Sequence, residues 1–158
     1  MKDESPNLTK VNTLSNQDKR QIFIIWSAEY PKQSVFNSYD EFDTFILSLV
    51  NPTHYLIKNN DDRLLGWLVT IDRDGGRWLI ILVDSSRQKQ GIGTRLLDEM
   101  KKVESSISAW ITPHNNYFKA DGTPYITPLP FYEKNGFILT DETFVKDDFG
   151  GTRIYWKK

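Results

Sequence analysis

The chain contains no cysteine, and that absence removes several chemistries at once. Disulfides, a thiol nucleophile and thiolate metal sites are excluded, and the composition suits a cytoplasmic home. Histidine is scarce: His54 and His114 are the only two, so an imidazole base has two places to come from. Charge of either sign is not in excess, the formal net charge being −1. No global electrostatic argument therefore favours nucleic acid or an anionic membrane. No apolar run approaches a membrane span, and the opening Met1-Lys2-Asp3-Glu4-Ser5-Pro6 is not a signal peptide. Internal repeats and low-complexity tracts are lacking too. What is there is 158 residues, 39% of them hydrophobic, enough for one sizeable core. The expectation is a loose tail over residues 1–7 and a single domain over 8–158.

The most informative stretch runs from Trp78 to Val103. Trp78-Leu79-Ile80-Ile81-Leu82-Val83 is an unbroken apolar run that reads as a strand buried on both faces. A polar loop follows and ends in Gly91-Ile92-Gly93. Ile92, Leu96, Leu97, Met100 and Val103 then recur at helical spacing. Strand, glycine loop and helix start make a recipe for an anion site. Glycine lets backbone N–H groups converge, and the first helical turn offers unpaired donors and partial positive charge. The P-loop motif is missing, and Leu96 stands where a dinucleotide fingerprint needs its third glycine.

Elsewhere the pattern is mixed. Leu8 to Leu14 reads as a strand. Ser15 opens a helix carrying Ile22, Phe23, Ile25, Trp26 and Tyr30 and stopped by Pro31. Ser38-Tyr39-Asp40-Glu41 opens a second, with the stripe Phe42, Phe45, Ile46, Leu49, Val50 and a stop at Asn51-Pro52. Strands follow at Thr53 to Lys58 and Arg63 to Ile71, the latter turning through Asp72 to Gly76 into the central strand. Beyond the central helix, strands are predicted at Ser106 to Ile111, Phe137 to Val145 and Thr152 to Trp156, the last two joined by Lys146-Asp147-Asp148-Phe149-Gly150-Gly151. Strands flanking a helix in one sheet imply a parallel crossover. The class is α/β (α+β) with a mixed sheet.

Two motifs carry a resemblance. Gln88-x-x-Gly91-x-Gly93 after such a strand resembles the acetyl-CoA pyrophosphate loop of the GNAT superfamily of N-acetyltransferases. Phe131-Tyr132-Glu133-Lys134-Asn135-Gly136-Phe137 is similar to the segment closing the acyl-CoA site in those enzymes. The likeness extends over Ile57 to Trp156. It implies the GNAT fold: a central sheet of six to seven strands, about four helices, and a splay at the parallel strands flanking the cofactor loop. It implies acetyl-CoA as cosubstrate, with no metal, and a small-molecule or peptide amine as acceptor; a homodimer rests on the family alone. Gln88, Lys89, Gln90, Gly91, Ile92 and Gly93 would cradle the pyrophosphate through their backbones, with Thr94 adding a hydroxyl. Ile81, Leu82 and Val83 would bond the pantetheine arm, and Tyr132 would be the general acid. Arg87, Lys89 and Lys134 are candidates for the nucleotide phosphates.

The base is not written in the motifs. Many relatives carry a Glu on the central strand, but Trp78 to Val83 holds no carboxylate, and Asp84 lies past its end. His114, following the strand that ends at Ile111, is the better placed of the two histidines; deprotonation by water is the other option. Relatives often have an Asn upstream of the tyrosine, where this chain has Tyr125. Thr112 to Pro130, with four prolines, carries no clear element, and long loops inside compact domains are usually functional. Its position predicts an acceptor wall in which Tyr117 and Tyr125 cover apolar groups and Asp121 pairs with the amine. The rival reading is a non-catalytic acyl-CoA-binding module that acts as a sensor or assembly partner.

Overall fold

The computed structural model describes residues 6–87 and 90–158. In chain order it has β1 (Asn7–Val11), α1 (Asn16–Glu29), α2 (Tyr39–Ser48), β2 (Thr53–Lys58), β3 (Leu64–Arg73) and β4 (Gly76–Val83). Then come α3 (Ile92–Lys101), β5 (Ser106–Ile111), α4 (Leu129–Lys134), β6 (Ile138–Lys146) and β7 (Phe149–Lys157). Both predicted caps form: Ser15 accepts from the Asp18 N–H, and Ser38 from that of Glu41. The first strand is shorter than expected and includes Asn7, which pairs with Lys58. Among the described residues, no helix is long and apolar enough to cross a membrane.

Seven strands form one sheet in the order β1-β2-β3-β4-β5-β7-β6. Every neighbouring pair is antiparallel except β4 and β5. Those two share a single register pair, Trp78 with Ser108. Beyond it the ladder stops and the strands splay, so the sheet is open in its middle. The side chains of β4 alternate between two cores, as strand geometry requires. Leu79, Ile81 and Val83 face α3 and α4, among Leu96, Met100 and Phe137. Trp78, Ile80 and Leu82 face α1 and α2, among Trp26, Phe42 and Trp67.

Two glycine readings needed the structure. Gly150 and Gly151 look like turn residues in the sequence, yet both lie inside β7. The turn is Asp147-Asp148, with Asp147 at a φ of 55°. A Cβ on Gly151 would stand 2.6 Å from the Phe144 ring, so the glycine lets that ring lie down on the sheet. Gly66 does the same for α3: its Cβ would meet Ile92 at 2.6 Å.

Candidate active site

The splay opens a cavity of about 1350 Å³ that crosses the sheet. Its floor is Leu79 to Val83 of β4. One end is built by the start of α3 and by α4, the other by the end of α1, the β6–β7 turn and the rings of Trp110 and Phe144. The volume exceeds that of ordinary single-ligand pockets, enough for two reactants to meet.

At the first end, Gly91 caps α3 in the left-handed region, at a φ of 79°, with no side chain bonding the first turn. An added Cβ there would meet no described atom within 4 Å. The helix therefore presents its unpaired N–H groups and partial positive charge to open space. Ile92, Gly93 and Thr94 also line the cavity, together with Arg87 and Lys134. Gly93 differs from Gly91 in its role: a Cβ would stand 2.8 Å from the Phe131 ring, so this glycine lets α4 lie against α3. Gln90 is exposed beside Arg87. Gln88 and Lys89 lie outside the described residues.

Tyr132 is buried on α4 with its ring edge-on to Phe131 and Phe137. It lines the cavity, and among the described residues its hydroxyl has no hydrogen-bond partner. Burial pushes this phenol far above its ordinary pKa, and nearby Tyr125 adds to the effect. Tyr125 itself, from the β5–α4 loop, is pushed up by burial to about 12. Tyr30 follows the end of α1 and is raised by burial, then by Tyr125 and Tyr132. Its hydroxyl donates to the Ile81 carbonyl at 2.9 Å. Three phenols from three distant segments thus border one cavity.

The expected base is not brought to the cavity. His114 Nδ1 accepts from the Asn116 N–H, and the ring sits edge-on to Tyr117, away from the cavity lining. The short Asn115-Asn116 turn folds the imidazole back onto its own loop. His54 is buried in β2, where Nδ1 accepts from Trp67 Nε1 at 3.0 Å, and burial lowers its pKa to about 4. Asp84 accepts from Ser86 and pairs with Arg63. Among the described residues three carboxylates do line the cavity, Asp147 and Asp148 at the β6–β7 turn and Glu29, which sequence reasoning missed. Its two oxygens accept from the Ser85 N–H at 2.6 Å and from Lys119 at 2.9 Å. No spacing signal marks Glu29 or Tyr30, because a helix end acquires its role only where the helix docks.

The β5–α4 loop is pinned rather than loose, and α4 takes over its last two residues. The Lys32 N–H donates to the Phe118 carbonyl, and Lys119 reaches across to Glu29. The acceptor trio divides. Tyr125 lines the cavity, whereas Tyr117 and Asp121 do not. The Tyr117 hydroxyl accepts from the Gly150 N–H, tying the loop to β7. Asp121 is exposed and accepts from the N–H and hydroxyl of Thr123, an Asx turn that holds the loop's own bend.

A family model for the GNAT acetyltransferase domain matches residues 51–139, more than half of the chain. The chain belongs to the GNAT acetyltransferase family. It is an acyltransferase of that type. Solved structures share the GNAT fold across nearly the whole chain. An aminoglycoside 6'-N-acetyltransferase complexed with coenzyme A matches with a TM-score of 0.69 at 18% identity, over 96% of both chains. A putative phosphinothricin N-acetyltransferase matches with a TM-score of 0.69 at 16% identity, over 96% of this chain and 98% of that one. A spermidine/spermine N-acetyltransferase from Vibrio cholerae matches with a TM-score of 0.64 at 15% identity, over 97% and 92%. At these identities the likeness speaks for the fold alone. A search of the curated proteins finds no match. In this GNAT chain the splayed pair and the glycine-capped helix fall inside the matched segment, while α1, α2 and β7 lie outside it.

Proposed function

We propose that this GNAT chain moves an acetyl group from acetyl-CoA directly to a primary amine, with Tyr132 as general acid. The observation that carries the reading is a juxtaposition. A helix start capped by Gly91 without a side-chain bond and, among the described residues, an unpartnered phenol at Tyr132 open on one cavity, with the β5-facing edge of β4 unpaired between them. The donor set fits a CoA-type cosubstrate. Backbone N–H groups at the start of α3 suit a pyrophosphate, and Arg87 and Lys134 add cations at the same end. On this reading Leu82 and Val83 bond the pantetheine arm, while the Ile81 carbonyl is already engaged by Tyr30.

In the transfer, the amine nitrogen attacks the thioester carbonyl carbon. The C–S bond breaks with its electron pair going to sulfur, and sulfur takes the Tyr132 proton. The nitrogen loses one proton to water, and the phenolate is reprotonated from solvent. A phenol keeps its proton at neutral pH and so has one to give as the thiolate forms. Assigning the amine's proton to water follows from the cavity's carboxylates. Glu29 is held by two donors, and Asp147 and Asp148 are exposed at the turn.

The test combines calorimetric titration of acetyl-CoA with CoA release over a broad amine panel. Binding accompanied by release supports the reading. Binding without release from any amine would instead favour a non-catalytic acyl-CoA-binding module.

A further inference from the structure

The end of the cavity away from α3 is walled by rings. Trp26 and Phe45 come from the helices; Trp110 and Phe144 come from β5 and β6. The sheet wall is continuous: Trp110 lies 5.0 Å from Trp78 and 5.1 Å from Phe144, centroid to centroid. The cavity as a whole carries no acidic excess, its lining setting Arg73, Arg87, Lys119, Lys134 and Lys146 against Glu29, Asp147 and Asp148. A polycationic amine needs an excess of negative charge, which this wall lacks.

Two guanidinium groups approach the Trp78 ring, Arg153 at 5.9 Å and Arg73 at 5.7 Å. Arg153 is occupied by Glu142 and Ser108. Arg73 has no ion pair or hydrogen bond among the described residues, the neighbouring Asp72 being taken by Arg77 and Asn51. Gln33, which also lines this end, has a buried side-chain oxygen without a donor. An unmatched cation is a ready partner for an anion, and a buried unpaired oxygen is stabilised by any N–H it receives.

We propose that this end takes a monoamine whose amino group is carried on a flat apolar body, with an anionic group at the far end held by Arg73. The inference rests on the acetyl-transfer reading, and it names the acceptor class for that site. Length supports it. Trp78, beneath Arg73, is four residues from Leu82, about 13 Å at the strand rise, so amine and anion stand on the order of 10 Å apart. A simple α-amino acid is too short. The rings hold the body between them.

Three probes discriminate: para-(aminoethyl)benzoate, phenethylamine and spermidine, each titrated into the CoA-bound protein by tryptophan fluorescence. Trp26 and Trp110 line the site and report occupancy directly. The carboxylated amine should bind at least tenfold tighter than phenethylamine, and spermidine weakest. Arg73→Gln should erase the gap between the two aromatic amines. Tightest binding by spermidine, no binding by either aromatic amine, or a gap that survives Arg73→Gln would overturn the proposal. CoA release with the same amines tests acetyl transfer separately. Aromatic amines that bind without release would leave the pocket assignment standing and sink the transfer reading. Release from spermidine alone would do the reverse.

Discussion

The two ends of the cavity are built in different ways. The α3 end is made of backbone: a left-handed glycine, a helix start and the strand edge that β5 leaves unpaired. The opposite end is made of side chains from α1, α2, β5, β6 and the β5–α4 loop, segments far apart in the chain. A backbone site needs glycine at fixed spacing and tolerates nearly anything between. A side-chain site needs no local pattern, since docking alone brings its members together. The first kind suits a cosubstrate shared by a whole family, the second a reactant that differs between members.

The sharpest way to break this contrast is through its two glycines. Gly91→Val should weaken acetyl-CoA at least a hundredfold, because the new side chain enters the space where phosphate oxygens would approach, and the φ of 79° there adds backbone strain. Gly93→Val should mainly cost stability. Its side chain meets Phe131 at 2.8 Å, an overpacking penalty of about 2 kcal/mol and roughly 4–8 °C in melting temperature. Calorimetry and thermal melts on both variants decide it. Equal binding losses at unchanged stability would merge the two roles.

A smaller effect concerns the loop. Tyr117→Phe and Asp121→Ala should leave the KM of both reactants unchanged, since neither residue lines the cavity. Removing the Asp121 acceptor should lower the melting temperature only slightly, since its bonds to Thr123 are exposed. A raised acceptor KM in either variant would return both residues to the acceptor wall.

The smallest expected change at neutral pH belongs to His54, which is remote from both ends. Its folded pKa, about 4, lies below the ordinary value of 6.5, so the neutral form stabilises the fold. That contribution is fully present above pH 6.5 and is lost as pH falls toward 4, up to about 3 kcal/mol in all. Urea midpoints against pH should show the decline, and His54→Gln should flatten it. A midpoint unchanged over that window would mean that the imidazole is not held neutral.

Legibility followed the same division. The order of elements, the helix caps and the hairpin at Asp74-Gly75 were readable, because each depends on residues a few positions apart. The glycine loop and Tyr132 were readable as motifs. Glu29 and Tyr30 were not, since their function depends on where α1 meets β4. The loop residues Tyr117 and Asp121 were singled out for the right loop, yet their hydrogen bonds serve β7 and the loop itself. Gly150 and Gly151 were read as a turn because their neighbours, the Phe144 carbonyl for Gly150 and the Phe144 ring for Gly151, are invisible in the sequence.

The central claim is that Tyr132 protonates the departing sulfur in a cavity whose other end receives the amine. Its most direct test is Tyr132→Phe, with kcat for CoA release at saturating acetyl-CoA and the acetyl-CoA Kd measured on one preparation. The account predicts a kcat lower by roughly 100- to 1000-fold and a Kd changed less than about threefold. An unchanged kcat, with chemistry shown to be rate-limiting, would contradict it and leave Tyr132 as a core residue between Phe131 and Phe137.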